Sequence, residues 1–196
     1  MLECVVVNID MWDIRQEEML CLTKCCGETL EEQDRIFRFV GLQDRKRSLM
    51  GKLLIRYVIS TKFSLSPMEV TIKRDSKGKP LWACDSVQFD FNVSHHGKYV
   101  ILASTDQGSV GCDVFPLRYG QDDESPVEFL ELMNPCLSST ESCALKDVVG
   151  DDEVFWKLFG FIWSAKEAFL KMTGEGLIAD LCVLDSFFSR LIFSGD

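Results

Sequence analysis

Residues 89–115 read FDFNVSHHGKYVILASTDQGSVGCDVF, and this stretch decides the fold class. Phe89, Phe91 and Val93 alternate with Asp90, Asn92 and Ser94, the period of two that turns one side of a strand to a core and the other outward. His96-Gly97 then turns the chain into Tyr99–Ala103, and Gly108 turns it again into Val110–Phe115. Strands spaced so closely predict an antiparallel meander. Upstream, Cys4–Ile9 reads as a strand, and Val70–Ile72 and Leu81–Trp82 as short strands around a turn, Arg74-Asp75-Ser76-Lys77-Gly78-Lys79-Pro80.

Between these strands the period changes. Leu49, Met50, Leu53, Leu54, Tyr57 and Val58 recur at three and four, which predicts a helix from Asp44 to about Phe63, ended before Pro67. A polar stretch with Glu17, Glu18, Glu31, Glu32 and Asp34 precedes it and reads as partly helical. Residues 119–153, with Asp122, Asp123 and Glu124, a short helical pattern Val127–Met133 and a Ser/Thr cluster, read as surface. A second strong helix follows from Phe155 to Met172, closed by Gly174 and Gly176. Leu181–Asp185 reads as a further strand, and eleven residues remain after it. The expected class is α+β.

With 196 residues, 46% of them hydrophobic and 11% aromatic, the chain has core enough for one domain or two small halves. No apolar run approaches the roughly 20 residues of a membrane span, so neither a membrane helix nor disorder is expected. The start, Met1-Leu-Glu-Cys-Val-Val-Val7, lacks the charged and apolar regions of a signal peptide, and a cytoplasmic location is expected. Nine cysteines, at 4, 21, 25, 26, 84, 112, 136, 143 and 182, form no C-x-x-C. Scattered and odd in number, they predict reduced, mostly buried thiols and not a zinc site at Cys21, Cys25 and Cys26.

The net charge of -10 is unevenly spread. Residues 1–105 carry 15 basic and 14 acidic groups, and residues 106–196 carry 6 and 17. Within the first part, residues 35–79 hold twelve basic side chains, Arg45, Lys46, Arg47, Lys52 and Arg56 among them, against Asp44, Glu69 and Asp75. Such a field suits a compact polyanion, a phosphorylated cofactor or nucleic acid; the outer face of an amphipathic helix would look the same. Nucleic acid is disfavoured by the acidic second part and the lack of an aromatic stacking motif.

Single residues are ambiguous when taken alone. Glu167 and Lys171 lie one helical turn apart, and as plain structure they make a pair of about 0.3–0.5 kcal/mol. Asp113 sits between Cys112, Val114 and Phe115, where a lone charge calls for a cation partner, a metal or a shifted pKa. His95 and His96 are the only histidines, and a histidine after a strand is commonly a surface residue.

Order and spacing add a further signal. Gly78-Lys79-Pro80, then Phe91-Asn92-Val93-Ser94-His95, then Val110-Gly111-Cys112-Asp113-Val114, then Trp163-Ser164-Ala165-Lys166-Glu167-Ala168-Phe169-Leu170-Lys171 form a series. This series resembles the 4'-phosphopantetheinyl transferases of the surfactin-synthetase-activating type. Arg35-Ile36, Gly51-Lys52-Leu53-Leu54-Ile55-Arg56 and Lys77-Gly78-Lys79-Pro80 are most similar to the eukaryotic aminoadipate-semialdehyde dehydrogenase branch. The resemblance runs from Arg35 to Leu177.

The resemblance implies two similar α/β halves with pseudo-twofold symmetry, here 1–107 and 108–196, and a monomer with coenzyme A and Mg2+ in the cleft. It implies transfer of phosphopantetheine from coenzyme A to a serine of an acyl or peptidyl carrier domain, of the fatty acid synthase or aminoadipate-semialdehyde dehydrogenase type. The other product is 3',5'-ADP. Arg35, Arg74, Lys77, Gly78 and Lys79 would line the nucleotide, and Asn92, Val93, Ser94 and His95 would close around the adenosine and 3'-phosphate. Asp113 and Glu167 would hold Mg2+, with Glu167 the base for the carrier serine and Lys171 on a phosphate. No nucleic acid or membrane partner is implied.

Two departures stand out. Many bacterial members carry a second acid two residues after the Asp, where this chain has Phe115; eukaryotic-type members lack it too. Family members also continue after the Lys-Glu helix with several strands, whereas this chain ends in Phe187-Phe188 to Ile192-Phe193. The second half is therefore expected to be shortened at its C-terminus, with an open sheet edge. A coenzyme A- or carrier-binding protein without transfer activity is the alternative expectation.

Overall fold

The computed structural model describes residues 1–26, 28–116, 125–174 and 181–184. The hairpin read from the sequence is present as β4 (Asp90–His96) and β5 (Tyr99–Thr105), in register from Asp90 against Thr105 to His96 against Tyr99. Gly97 has φ +53 in the connecting turn, the left-handed region where a side chain is strained. β1 (Leu2–Asn8) lies antiparallel on the other side of β5, so the sheet order is β1-β5-β4. A separate pair, β2 (Ile72–Arg74) and β3 (Pro80–Trp82), flanks the basic turn.

The meander is incomplete where a third strand was expected. Residues 110–115 form no strand, and β1 takes the free edge of β5 instead. The backbone N–H groups of Val110, Cys112 and Val114 donate to Asp90 Oδ2 (2.8 Å), Asn92 Oδ1 (3.0 Å) and Ser94 Oγ (3.3 Å). The cause is the same period of two: Asp90, Asn92 and Ser94 project from one face of β4, so their side chains supply the acceptors that a neighbouring strand's carbonyls otherwise would. Val110 and Cys112 pack there against Ile101 and Ala103.

The opposite face of the sheet is covered by α3 (Leu42–Phe63), close to the helix expected from periodicity. Leu54, Ile55, Val58 and Ile59 bury against Phe91, Val100 and Leu102. Gly51 brings α3 close to β4, since a Cβ there would lie 3.1 Å from Val93 Cγ1. Leu49 points to a second cluster with Ile14, Met19 and Ile36, which ties in α1 (Gln16–Cys25) and α2 (Leu30–Phe37). The chain divides into two compact units, Met1–Val114 and Phe115–Asp196.

In the second unit, α4 (Pro126–Met133), α5 (Ser139–Asp147) and α6 (Asp152–Thr173) surround Phe129, Leu130, Leu137, Leu145, Phe155, Trp156, Phe159 and Ile162. The expectation of mere surface over 119–153 is thus corrected for its described part. Its polar residues are caps: Ser125, Ser138 and Asp151 accept from the first-turn N–H groups of the three helices, which leaves the interspersed aromatics and leucines to pack. Phe115 fills a slot on α6, its ring centroid 5.6 Å from that of Phe159 and its Cδ1 3.1 Å from where a Gly160 Cβ would be. Lys166 is fully buried, 2.7 Å from Glu141 Oε2, and donates to the Leu181 carbonyl at 2.8 Å.

Leu181–Leu184 is a short 3-10 helix and not the expected strand; its hydrophobic run of four is too short for periodicity to separate the two. Gly176, Asp122–Glu124 and the tail 185–196, including the expected open edge, lie outside the described residues. The cysteines are less buried than expected. Cys4, Cys21, Cys25 and Cys143 are exposed and Cys112 is the buried one, because Cys21 and Cys25 fall on the outward side of α1. Among the described residues, no helix is long and apolar enough to cross a membrane.

Candidate functional site

Four of the cations of residues 35–79, Arg47, Lys52, Arg56 and Arg74, line a cavity of about 350 Å³ whose described lining residues all belong to the first unit. Helical spacing builds one wall: Ser48, Gly51, Lys52 and Ile55 recur at three and four along α3, with Arg47 and Arg56 flanking them. Arg74 of β2 and Val93 and His95 of β4 close the other side, and Glu28, Thr29 and Glu32 enter from the start of α2. Gly51 and Val93 both line this space, and the missing side chain of Gly51 is what lets the helix come so near Val93 there.

Two carboxylates organise the charge. Glu28, buried, sits 2.6 Å from Arg56 Nη1 and 3.5 Å from Lys52 Nζ. Glu32 receives Arg74 Nε at 2.9 Å and Nη2 at 3.1 Å, a two-pronged grip, and also binds Lys52. Arg35 Nε approaches Glu32 at 3.4 Å while its Nη2 donates to Glu31 at 2.9 Å. The Arg74 hydrogen bonds, helped by Lys52, hold the Glu32 carboxyl at about 2, and Glu32 in turn raises Arg74.

The turn after β2 is pinned from within. Asp75 Oδ1 accepts from the N–H of Lys77 (2.9 Å) and of Lys79 (2.8 Å), and Arg74 Nη1 donates to the Gly78 carbonyl at 2.8 Å. Gly78, at φ +88, takes the conformation a side chain would resist. Lys77 is exposed, and Lys79 Nζ reaches Asp90 Oδ2 at 3.0 Å.

Strand alternation splits the run from Asn92 to His95. Val93 and His95 face the cavity. Asn92 is turned to Cys112, and Ser94 Oγ donates to Asp113 Oδ1 at 2.9 Å. Asp113 is therefore a half-buried carboxylate oriented by a buried hydroxyl in the first unit. Glu167 and Lys171 belong to the second unit, one turn apart and half-buried on α6. Among the described residues, no group of three or more His, Cys, Asp or Glu side chains could hold a metal ion.

The residues that sequence reasoning missed are Glu28 and Glu32, together with the individual places of Arg47, Lys52 and Arg56. A signal existed for the first pair, since Glu28, Glu31 and Glu32 directly precede the basic stretch.

A model of the 4'-phosphopantetheinyl transferase N-terminal region matches residues 10–107, and one of the 4'-phosphopantetheinyl transferase superfamily matches residues 109–190. The chain belongs to the 4'-phosphopantetheinyl transferase superfamily. It is 33% identical over 151 residues to the L-aminoadipate-semialdehyde dehydrogenase-phosphopantetheinyl transferase of Mus musculus, covering 75% of this chain and 48% of that protein. The Homo sapiens protein of that name is 32% identical over 165 residues, 82% of this chain and 53% of its own length. The 4'-phosphopantetheinyl transferase Sfp of Bacillus subtilis (strain 168) is 32% identical over 161 residues, 82% of this chain and 65% of its own. The chain spans about half the length of the mammalian transferases it matches.

Proposed function

We propose that this chain transfers 4'-phosphopantetheine from coenzyme A to a serine of an acyl or peptidyl carrier domain. The observation that carries the reading is the cavity lined by Arg47, Lys52, Arg56 and Arg74, whose guanidinium and ammonium groups are donors of the kind that hold the phosphate oxygens of a ligand such as coenzyme A. Arg35, Lys77, Gly78 and Lys79, which the family series assigns to the nucleotide, are not among the described residues lining the cavity, whereas Val93 and His95 are and offer the adenosine a wall.

The chemistry follows from the family series. The serine oxygen attacks the β-phosphorus of coenzyme A, the bond from that phosphorus to the bridging oxygen breaks, and 3',5'-ADP leaves. Glu167 takes the hydroxyl proton, and Lys171 offsets charge on a phosphate. Asp113, oriented by the hydrogen bond from Ser94, and Glu167 each offer a hard oxygen donor of the kind Mg2+ takes while keeping several waters. When bound, the metal would offset the charge developing on the pyrophosphate. The pseudo-twofold relation of the halves, the cytoplasmic location and the monomeric state belong to the same reading.

Incubation with coenzyme A, Mg2+ and an apo carrier domain is expected to add one phosphopantetheine to the carrier, read by mass spectrometry. A folded chain that leaves the carrier mass unchanged overturns the activity. A second reading, coenzyme A binding without transfer, is favoured by one observation: the described residues that line the cavity belong to the first unit. Calorimetry separates the two, because binding without transfer depends little on Mg2+.

A further inference from the structure

The two glutamates of the cavity differ in how firmly they are held. The side chain of Glu28 is 5% exposed and that of its partner Arg56 6%, so their ion pair is sealed into the wall. Glu32 is 19% exposed and Arg74 34%, which places their contact at the mouth. There Glu32 takes both prongs of the Arg74 guanidinium and the Lys52 ammonium. A fork of parallel N–H donors with a point charge beside it is how proteins hold phosphoryl oxygens, and a carboxylate is the internal group that fits the same fork.

We propose that Glu32 is a built-in stand-in for a ligand phosphate, holding Arg74 and Lys52 until a doubly charged oxyanion displaces it, and so sets the charge a ligand must carry to enter. The inference rests on the phosphate-binding reading of the cavity. A phosphoryl dianion offers the same pair of oxygens as Glu32 with twice the charge, so it wins the exchange. A free carboxylate or chloride gains nothing over the tethered Glu32, whose local concentration is high. The alternative is that Glu32 is permanent scaffold which merely orients Arg74.

The alternatives differ in what happens to a proton. Glu28, Glu31 and Arg35 lie near Glu32 on its own segment, Lys52 and Arg56 face it from α3, Arg74 from β2, and His95 of β4 shares the cavity. Displacement takes Glu32 away from Arg74 and Lys52, which hold its carboxyl at about 2. Its pKa then returns toward the ordinary carboxylate range, and anion binding near pH 4.5–5 takes up protons, about pH 4.5 being the midpoint of an unperturbed Glu.

The test uses the whole chain and two probes, inorganic pyrophosphate and sulfate. Sulfate stays a dianion throughout this range, so any proton taken up belongs to the protein. Titration calorimetry of the wild type with sulfate, in two buffers of different ionisation enthalpy, is expected to show uptake of a fraction of a proton near about pH 5. Glu32→Gln is expected to lose that uptake and to bind pyrophosphate about five- to tenfold more tightly at neutral pH, the factor for removing a like charge a few ångströms from a multiply charged oxyanion at a partly exposed site. Unchanged or weaker binding by the folded variant overturns the proposal. So does sulfate binding without proton uptake by the wild type, a result that needs no variant, and so does failure of the wild type to bind either anion. Failed transfer to a carrier with the exchange intact breaks the proposed activity alone.

Discussion

Two ion-paired glutamates, one in each unit, show how burial changes the meaning of a charge. Glu141 and Lys166 sit in the second unit at 3% and 0% exposure, 2.7 Å apart, with the Ser138 N–H and the Leu181 carbonyl completing the network. Glu32 and Arg74 in the first unit are closer to solvent and share Lys52 and Arg35. In the buried pair each charge depends on the other, because water cannot replace a lost partner. In the pair at the cavity mouth water or an anion can. The first arrangement fixes a fold, and the second leaves cations available for exchange.

The comparison breaks most readily at Lys166. Lys166→Met leaves Glu141 as an uncompensated buried carboxylate and is expected to cost about 3–5 kcal/mol, read from urea unfolding. The double variant Lys166→Met/Glu141→Gln is expected to recover part of that loss. By contrast, Arg74→Met should cost less than about 1 kcal/mol, as a partly exposed pair does. Equal losses at the two positions would erase the distinction.

A smaller effect is expected at Asn92. Its Oδ1 is the acceptor for the buried Cys112 N–H, so Asn92→Ala orphans that donor and is expected to cost about 1–3 kcal/mol. Faster amide exchange at Val110–Val114 than at β5 would show that the side-chain bonds, and not a strand ladder, hold this segment. A variant as stable as the wild type would mean that packing alone fixes it.

The smallest effect concerns pH. The Glu32 carboxyl is held at about 2 against an ordinary 4.5, so its contribution is fully present above 4.5 and is lost as pH falls through 2. At this partly exposed site that contribution is about 1 kcal/mol, and it should weaken at high salt. Thermal melts of wild type and Glu32→Gln between about pH 2 and pH 6 are expected to converge at the acidic end. Parallel curves would show that Glu32 adds no pH-dependent stability.

Much of the first unit was legible because its signals are local. Leu49, Leu53, Leu54 and Val58 announce α3 by spacing alone, and Phe91 and Val93 announce β4 by alternation. Val110–Phe115 has strand-like alternation too, yet the hydrogen bonds go to Asp90, Asn92 and Ser94. Alternation reports which side of a chain is apolar, not what its N–H groups bind. The second unit was misread from the end of α4 to the start of α6 for a related reason: polar residues such as Ser138 and Asp151 look like a surface loop, but each caps a helix N-terminus and the apolar residues between them form a core.

For the candidate site, the chain itself determined the ingredients: a +9 stretch over residues 35–79, a glycine turn at Gly78, and the ordered acids Asp113 and Glu167. Those follow from residue type and short spacing, which survive in any conformation. Only the tertiary structure decided which cations share a cavity and which carboxylates hold them. Glu28 and Glu32 meet Lys52, Arg56 and Arg74 across 20 to 42 positions of chain, and Coulomb attraction acts through space without regard to sequence. That is why a run that reads as a bare positive field folds into paired charges with one exchangeable glutamate at the mouth.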